Sequence, residues 1–465
     1  MKNFFLWSLG RDAVFRLEVY LKSQTSMAAD RFLLWAPTSV QLATALIVLG
    51  GFHYGYNVAA VGSALPALQE AFPESPLAAY DMLSGSTLLG AIVGSPISGL
   101  VCERYGRRPG TLIGETLSIL GVVGCALASS VLEMAWWRLS IGVGVGFCTL
   151  AKPLYVRETL PAAQAAPVQA SFAPAVAVGI LVAQIVSATP VLREWRISMA
   201  LGVIPPAVLF IFACLYMGES EEWRLKRSAR LHQYSAAPTA EAASTAPSCI
   251  SAWAPVGLAV ALALANQLTG AYPMLIYSRV LAATGASVCP GADGGATGSS
   301  FAALPLVSSL ANLAGACAAV PLMAICRRRV LVVGGLALMA ALLIHAAWLE
   351  RDELSRSAMG LPLAITLSLW CLAYEVGPGC GYFVLVSDLA SGPMGAMTYA
   401  CGNSARFASE FALSFAFLST CGHEGIVRVL LFHAAVAAGL ALLLFVTLRE
   451  TNPRHAASPS ARTVL

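Results

Sequence analysis

The chain has 465 residues, of which 58% are apolar and only 11% charged, with a mean hydropathy of +0.73. Ordinary soluble domains carry about 25% charged residues, so this composition excludes a soluble globular protein and points to a chain that crosses a membrane many times. The net charge of +4 is too small for a nucleic-acid partner, whose phosphates call for dense basic patches.

Residues 1–37 hold Lys2, Arg11, Arg16, Lys22 and Arg31 around an apolar core too short for a secretory signal. They read as a cytoplasmic extension, with Met27 as an alternative start. A membrane-crossing helix needs about 20 apolar residues to span about 30 Å of hydrocarbon. Twelve candidates follow, near residues 39–61, 80–101, 110–130, 134–155, 165–189, 197–217, 251–283, 300–325, 330–349, 360–389, 394–420 and 425–448. Backbone groups in lipid must bond internally, so each is expected to be a helix. Most cysteines fall inside these runs and act as small apolar residues; Cys289 and Cys421 alone are placed outside the cytoplasm, and no disulfide framework is expected.

Lys and Arg set the orientation. Arg104, Arg107 and Arg108, then Arg157, then Arg224, Lys226, Arg227 and Arg230, then Arg327, Arg328 and Arg329 fall in one set of connections. Residues 62–79, 131–133 and 284–299 of the alternate set contain no Lys or Arg. The basic side is therefore cytoplasmic, and an even number of spans puts both termini there. The Ala/Ser/Thr-rich stretch 225–250 separates two halves, 38–224 and 251–448, and a cytoplasmic tail, 449–465, ends the chain. The halves echo each other: acidic and basic landmarks recur from 107 to 328, from 158 to 388 and from 219 to 450, at nearly one offset. That is the signature of a parallel duplication.

Several motifs narrow the reading. "GLVCERYGRRP" follows the second span, and "RLSIGVGVGFCTLAKPLYVRETLP" fills the fourth. "MGESEEWRL" follows the sixth, "NQLTGAY" lies in the seventh, "EVGPG" in the tenth, and "RETN" follows the twelfth. Each is weak alone; six in this order resemble the sugar porters of the major facilitator superfamily, with the facilitative glucose transporters nearest. The resemblance implies an all-α membrane protein with twelve transmembrane helices in two six-helix halves (the major facilitator fold). It implies a carrier that works as a monomer, in the plasma membrane, on a hexose or related polyol.

By the same resemblance, Gln267, Asn266, Asn312, Glu375 and Gln184 are substrate-binding candidates, with Phe383 and Tyr272 where the family has Trp and Asn. Polar groups deep in a span belong on the bundle interior, and amides both donate and accept, which suits a polyol. Helix–helix hydrogen bonding is the bland alternative. Glu103, Arg104, Arg107, Arg108, Glu158, Glu219, Arg328, Arg329, Asp388 and Glu450 are expected to form the cytoplasmic gate, unless they serve only to set topology. The gate lacks some family members: Ala165 and Ala166 replace Arg-Gly, and Ala324 and Met394 stand at other charged positions.

Asn57 and Arg138 occupy the coupling position. Proton-coupled relatives carry Asp where this chain has Asn57, so the simplest expectation is uniport, with His53 as the one nearby group able to carry a proton near neutral pH. Arg406 and Glu410, four residues apart in the eleventh span, are either a self-neutralising pair or a contact for an anionic solute. Gly-Pro-Gly after Glu375 should break the helix of the tenth span. No nucleophile–base pair, phosphate-cradling loop or metal-ligand spacing is present, so no catalytic residue, metal or cofactor is expected. An organic-anion carrier, a proton-coupled sugar carrier and a non-transporting sugar sensor stay open as alternatives.

Overall fold

A computed structural model describes residues 37–189, 194–235, 249–270, 304–351, 360–390, 394–420 and 423–451. The N-terminal extension before 37, Tyr272, Cys289, Cys421, residues 236–248 of the expected linker and the tail after 451 lie outside the described residues. Among the described residues all regular structure is helical.

The N-terminal half comprises α1 (Ser39–Ala71), α2 (Leu77–Tyr105), α3 (Arg107–Leu127), α4 (Val131–Thr159), α5 (Ala162–Ala170), α6 (Phe172–Ala188), α7 (Trp195–Leu201) and α8 (Ile204–Leu215). Helix α9 (Glu221–Ser235) follows. The segment expected as a plain linker thus opens on a polar helix, supported by the Lys226–Glu222 pair at 2.7 Å. The C-terminal half comprises α10 (Cys249–Gln267), α11 (Leu304–Ile325), α12 (Arg328–Arg351), α13 (Gly360–Tyr374), a π turn (Glu375–Gly379), α14 (Cys380–Leu389), α15 (Gly395–Thr420) and α16 (His423–Thr447). Ten stretches among the described residues are long and apolar enough to cross a membrane; α10 and α15 stand at the seventh and eleventh positions.

Prolines explain where the spans bend. Pro174 has no N–H to give Ala170, and the fifth span divides there into α5 and α6. Pro205 and Pro206 likewise divide the sixth into α7 and α8. In the tenth span Gly377 adopts a non-helical φ of −95° and ψ of −106°, and the π turn carries Glu375. The expected break is present.

The carbonyls that prolines leave unbonded do not stay so. Pro96 frees the carbonyl of Ile92, which accepts from Ser404 Oγ at 3.2 Å. Pro153 frees that of Thr149, which accepts from Asn403 Nδ2 at 3.0 Å. Pro174 frees that of Ala170, which accepts from Cys380 Sγ at 3.5 Å. All three donors belong to the opposite half.

Close packing inside the N-terminal half rests on glycine. A Cβ at Gly142 of α4 would sit 2.0 Å from the carbonyl oxygen of Thr87 on α2, so only glycine lets these helices meet. Within the same half a charge pair is sealed from solvent: Lys152 Nζ of α4 lies 2.5 Å from Glu115 Oε1 of α3, with side chains 2% and 0% exposed. Cys148 Sγ donates to the same carboxylate at 3.4 Å.

Removing one member strands the other without a counter-charge, a loss of about 3–5 kcal/mol. Glu115→Gln or Lys152→Met should therefore lower the apparent melting temperature of the detergent-purified protein sharply. The double change Glu115→Leu with Lys152→Met should recover most of it. A double variant as unstable as either single one would show that the pair itself, rather than its neutrality, holds α3 to α4.

Candidate functional site

A cavity of about 70 Å³ lies between the halves. Tyr54 of α1, Phe172 and Ala173 of α6, Asn266 and Gln267 of α10, Asn312 of α11, Glu375 of the π turn, Phe383 of α14, and Arg406 and Glu410 of α15 line it. The structure therefore gathers residues from both halves that the sequence spreads over more than 350 positions. Every polar member is buried, with Glu375 the most accessible at 6%.

The break in the tenth span builds one wall. Asn266 Nδ2 donates to the carbonyl of Pro378 at 2.9 Å, and Gln267 Nε2 donates to Asn266 Oδ1 at 2.9 Å. Asn266 is thus engaged in holding the π turn, the helix–helix hydrogen bonding that stood as the alternative to a ligand contact. A Cβ at Gly379 would meet the backbone carbonyl oxygen of Tyr374 at 2.9 Å, so glycine suits this close approach. Asn312 lies within hydrogen-bonding reach of Glu375. Three buried acceptors of this cavity have no hydrogen-bond partner among the described residues: Gln267 Oε1, Asn312 Oδ1 and Glu375 Oε2.

The opposite wall is charged and aromatic. Tyr54 Oη donates to Glu410 Oε1 at 2.8 Å, and Arg406 Nη1 donates to Glu410 Oε2 at 3.3 Å. The guanidinium carbon lies 4.2 Å from the ring centre of Phe407, 5.4 Å from that of Tyr54 and 5.9 Å from that of Phe383. Phe383 in turn packs on Phe172 at 4.5 Å.

The other candidates fall elsewhere. Gln184 does not line the cavity: it stands one turn of α6 beyond the lining residue Ile180, on the same face, and donates to Ser309 Oγ at 3.4 Å. Asn57 and Arg138 do meet, through the backbone rather than the side chain. Arg138 Nη1 donates to the Asn57 carbonyl at 3.1 Å and Nε to that of Leu83 at 3.0 Å. The Asn57 amide is turned onto His53, 3.0 Å from Nδ1 and 3.0 Å from its carbonyl. His53 Nε2 has no partner and borders a small separate cavity beside Lys152.

At the basic end the charged residues form two matching clamps. In the first, Arg107 forks onto Glu158 through Nε at 2.8 Å and Nη2 at 2.7 Å, with Glu103 at 3.8 Å. In the second, Arg328 Nη1 meets Asp388 at 2.5 Å. The backbone N–H groups of Arg107 and Arg108 donate to Glu219 at 2.8 and 3.2 Å, and those of Arg328 and Arg329 to Glu450 at 3.1 and 3.4 Å. Arg108 caps the carbonyl of Cys214, and Arg329 that of Phe445. Each clamp closes within its own half. Arg104 joins neither: it is exposed and lies over Tyr105 at 5.6 Å. Between the clamps a second cavity of about 400 Å³ is lined by Ala165, Ala166, Arg157, Arg328 and Asp388, among others. The alanines where the family carries Arg-Gly leave this space open. Gln169 also lines it, donating to Ser387 Oγ at 2.6 Å and accepting from Tyr399 Oη at 3.2 Å, both in the opposite half.

Tyr54, Phe172, Gln169 and the Glu115–Lys152 pair were not singled out from the sequence. A polar residue in an apolar run marked Gln169, Glu115 and Lys152; nothing marked Tyr54 or Phe172.

Comparison with known proteins places this geometry. The family model described as "Sugar (and other) transporter" matches residues 43–235 and 231–457. "Probable metabolite transport protein CsbC" of Bacillus subtilis is 32% identical over 181 residues, 38% of this chain and 39% of that protein. "Proton myo-inositol cotransporter hmit-1.2" of Caenorhabditis elegans is 30% identical over 192 residues, 40% of this chain and 31% of that protein. The matched segment thus spans well under half the length of these relatives. The "proton:xylose symporter XylE", solved with 6-bromo-6-deoxy-D-glucose, superposes with a TM-score of 0.72 at 18% identity, covering 89% of this chain and 96% of that one. A partially occluded inward-open form of XylE from E. coli gives 0.67 at 19% identity, covering 89% and 99%. These likenesses show the fold: an integral, multi-pass, all-helical protein of the major facilitator type.

The Arg107 fork makes its own prediction. Lysine keeps the charge but cannot fork, so Arg107→Lys should loosen the tip of α2. Cys102 is 0% exposed, and its carbonyl accepts from Arg107 Nη1 at 2.8 Å. With the other cysteines replaced, Cys102 should react with a soluble maleimide faster in Arg107→Lys than in the parent. Equal labelling would show that the tip is held by other contacts.

Proposed function

The chain belongs to the Sugar (and other) transporter family, and on that premise we propose that it carries a hexose or related polyol across a membrane by alternating access, as a uniporter. One observation carries the reading: Gln267 Oε1, Asn312 Oδ1 and Glu375 Oε2 are buried between the halves with no hydrogen-bond partner. A buried acceptor left unmade costs about 1–3 kcal/mol, and a polyol is a small neutral solute able to donate to all three. Gln267, Asn312 and Glu375 then bind hydroxyls, with Phe383 and Phe172 against the ring face. Asn266 and the backbone of the π turn hold that wall in place.

A cavity of about 70 Å³ is well below the roughly 300–1,000 Å³ usual for ligand pockets, which fits halves closed upon the site. Opening toward the basic end requires breaking the Gln169–Ser387 contact, with the cavity behind Ala165 and Ala166 already present. In this proposal the basic end is cytoplasmic, the membrane is the plasma membrane, and one chain suffices. The Arg107 and Arg328 clamps keep each half rigid while the halves rock. Uniport rests on Asn57, whose amide does not titrate and whose carbonyl accepts from Arg138 Nη1 at 3.1 Å. A proton-coupled carrier is the second reading, favoured by the name of the worm relative and by the unpartnered His53 Nε2.

Two measurements test this. Uptake of radiolabelled sugars and polyols into cells lacking their own carriers should be unchanged in initial rate when a protonophore collapses the proton gradient; accumulation that the protonophore abolishes would replace uniport with symport. In the site, Glu375→Gln retains an acceptor and should impair uptake of a neutral sugar only modestly. Glu375→Ala should weaken affinity by roughly five- to 150-fold, for about 1–3 kcal/mol. A fully active Glu375→Ala would remove Glu375 from the site.

A further inference from the structure

Arg406 is the feature the neutral-sugar reading does not use. Its side chain is 4% exposed, it lines the central cavity, and Nε and Nη2 have no hydrogen-bond partner. In a guanidinium those two nitrogens form one edge, with parallel N–H groups spaced to fork onto a carboxylate. The same molecule shows that edge in use, since Arg107 grips Glu158 through Nε and Nη2 at 2.8 and 2.7 Å.

A pair present only for neutrality has no reason to leave the strong edge idle. Glu410 instead takes the single Nη1 donor at 3.3 Å, and its other oxygen is occupied by the Tyr54 hydroxyl at 2.8 Å. Tyr54 thus draws Glu410 aside, while the rings of Tyr54, Phe383 and Phe407 flank the guanidinium and hold its plane. Around one cavity, then, stand three unpaired acceptors on Gln267, Asn312 and Glu375 and one unpaired two-donor edge on Arg406. We propose that the solute is a sugar acid, a polyhydroxylated chain or ring bearing a carboxylate, whose hydroxyls donate to the three acceptors and whose carboxylate forks onto Arg406. Glu375 repels that carboxylate and so fixes which end of the solute faces which wall. This rests on the reading of the cavity as a sugar site and names its substrate class.

The test uses the full chain in proteoliposomes without a membrane potential, with labelled D-glucuronate, D-glucose and glucose 6-phosphate as probes. D-Glucuronate should be taken up with higher affinity than D-glucose. Arg406→Lys, which keeps the charge and loses the fork, should weaken glucuronate at least roughly tenfold, the loss of one hydrogen bond to a charged group, and leave glucose within about twofold. Glu375→Gln should strengthen glucuronate by removing the like charge. Arg406→Gln with Glu410→Gln leaves no stranded charge, so its folded form should lose glucuronate while still carrying glucose. Glucose carried in preference to glucuronate, with Arg406→Lys affecting both alike, would overturn the sugar-acid assignment and leave the sugar carrier standing. Preference for glucose 6-phosphate would overturn the carboxylate in favour of a phosphoryl group. Transport of none of the probes by folded protein, nor of a wider polyol panel, would remove the sugar reading and this inference with it.

Discussion

Hydrocarbon offers no hydrogen bonds, and nearly every feature of this molecule follows from that. A helix satisfies its own backbone, but a proline inside it leaves one carbonyl unbonded. Pro96, Pro153 and Pro174 each do so, and in each case the freed carbonyl faces a donor from the opposite half: Ser404, Asn403 and Cys380. The same residues that bend the spans therefore also supply the interface between the halves with acceptors. Within the C-terminal half, the carbonyl of Pro378 accepts from Asn266.

Interactions within a half and between halves differ in kind. Within a half the contacts are charge-assisted: the Arg107–Glu158 fork and the Lys152–Glu115 pair are sealed from solvent, and the Arg328–Asp388 pair is partly exposed. Between halves the hydrogen bonds named here are single and neutral apart from Tyr54 on Glu410. Neutral hydrogen bonds inside membrane proteins contribute about 0.6 kcal/mol on average, while breaking a buried ion pair costs about 3–5 kcal/mol. A bundle built this way parts along the seam between its halves before either half deforms, which is what rocking about a central site requires.

Much of this was legible in the sequence. Hydropathy located the spans, Gly-Pro-Gly marked the break of the tenth, and the recurrence of the Arg–acid landmarks pointed to the residues of the two clamps, though not to the backbone contacts on Glu219 and Glu450. What the sequence withheld depends on contacts between distant helices. Gln184 lies one turn of α6 past the cavity and donates to Ser309 of the opposite half, and Gln169, which the sequence reading passed over, also bridges the halves. Glu115 and Lys152 were passed over in the sequence, and only the approach of α3 to α4 pairs them. Arg406 and Glu410 were visible as neighbours on one helix, but which nitrogens Glu410 would leave unoccupied was decided by Tyr54, from the first span.

A uniporter for a sugar acid differs from a uniporter for a sugar in what drives it. A neutral solute carried without a coupled ion comes to equal concentration on both sides. A carboxylate moves with its charge, and the membrane potential is worth about 2.3 kcal/mol per charge at 100 mV. At an inside-negative 100 mV its equilibrium concentration inside is roughly fifty-fold below that outside. Asn57 provides no proton to offset that charge, and Arg406 with Glu410 is neutral as a pair, so the chain itself contributes no compensating charge there. In the proposed uniport of a sugar acid the neutral first span leaves that charge uncompensated, so the solute would be released from the negative compartment rather than accumulated there.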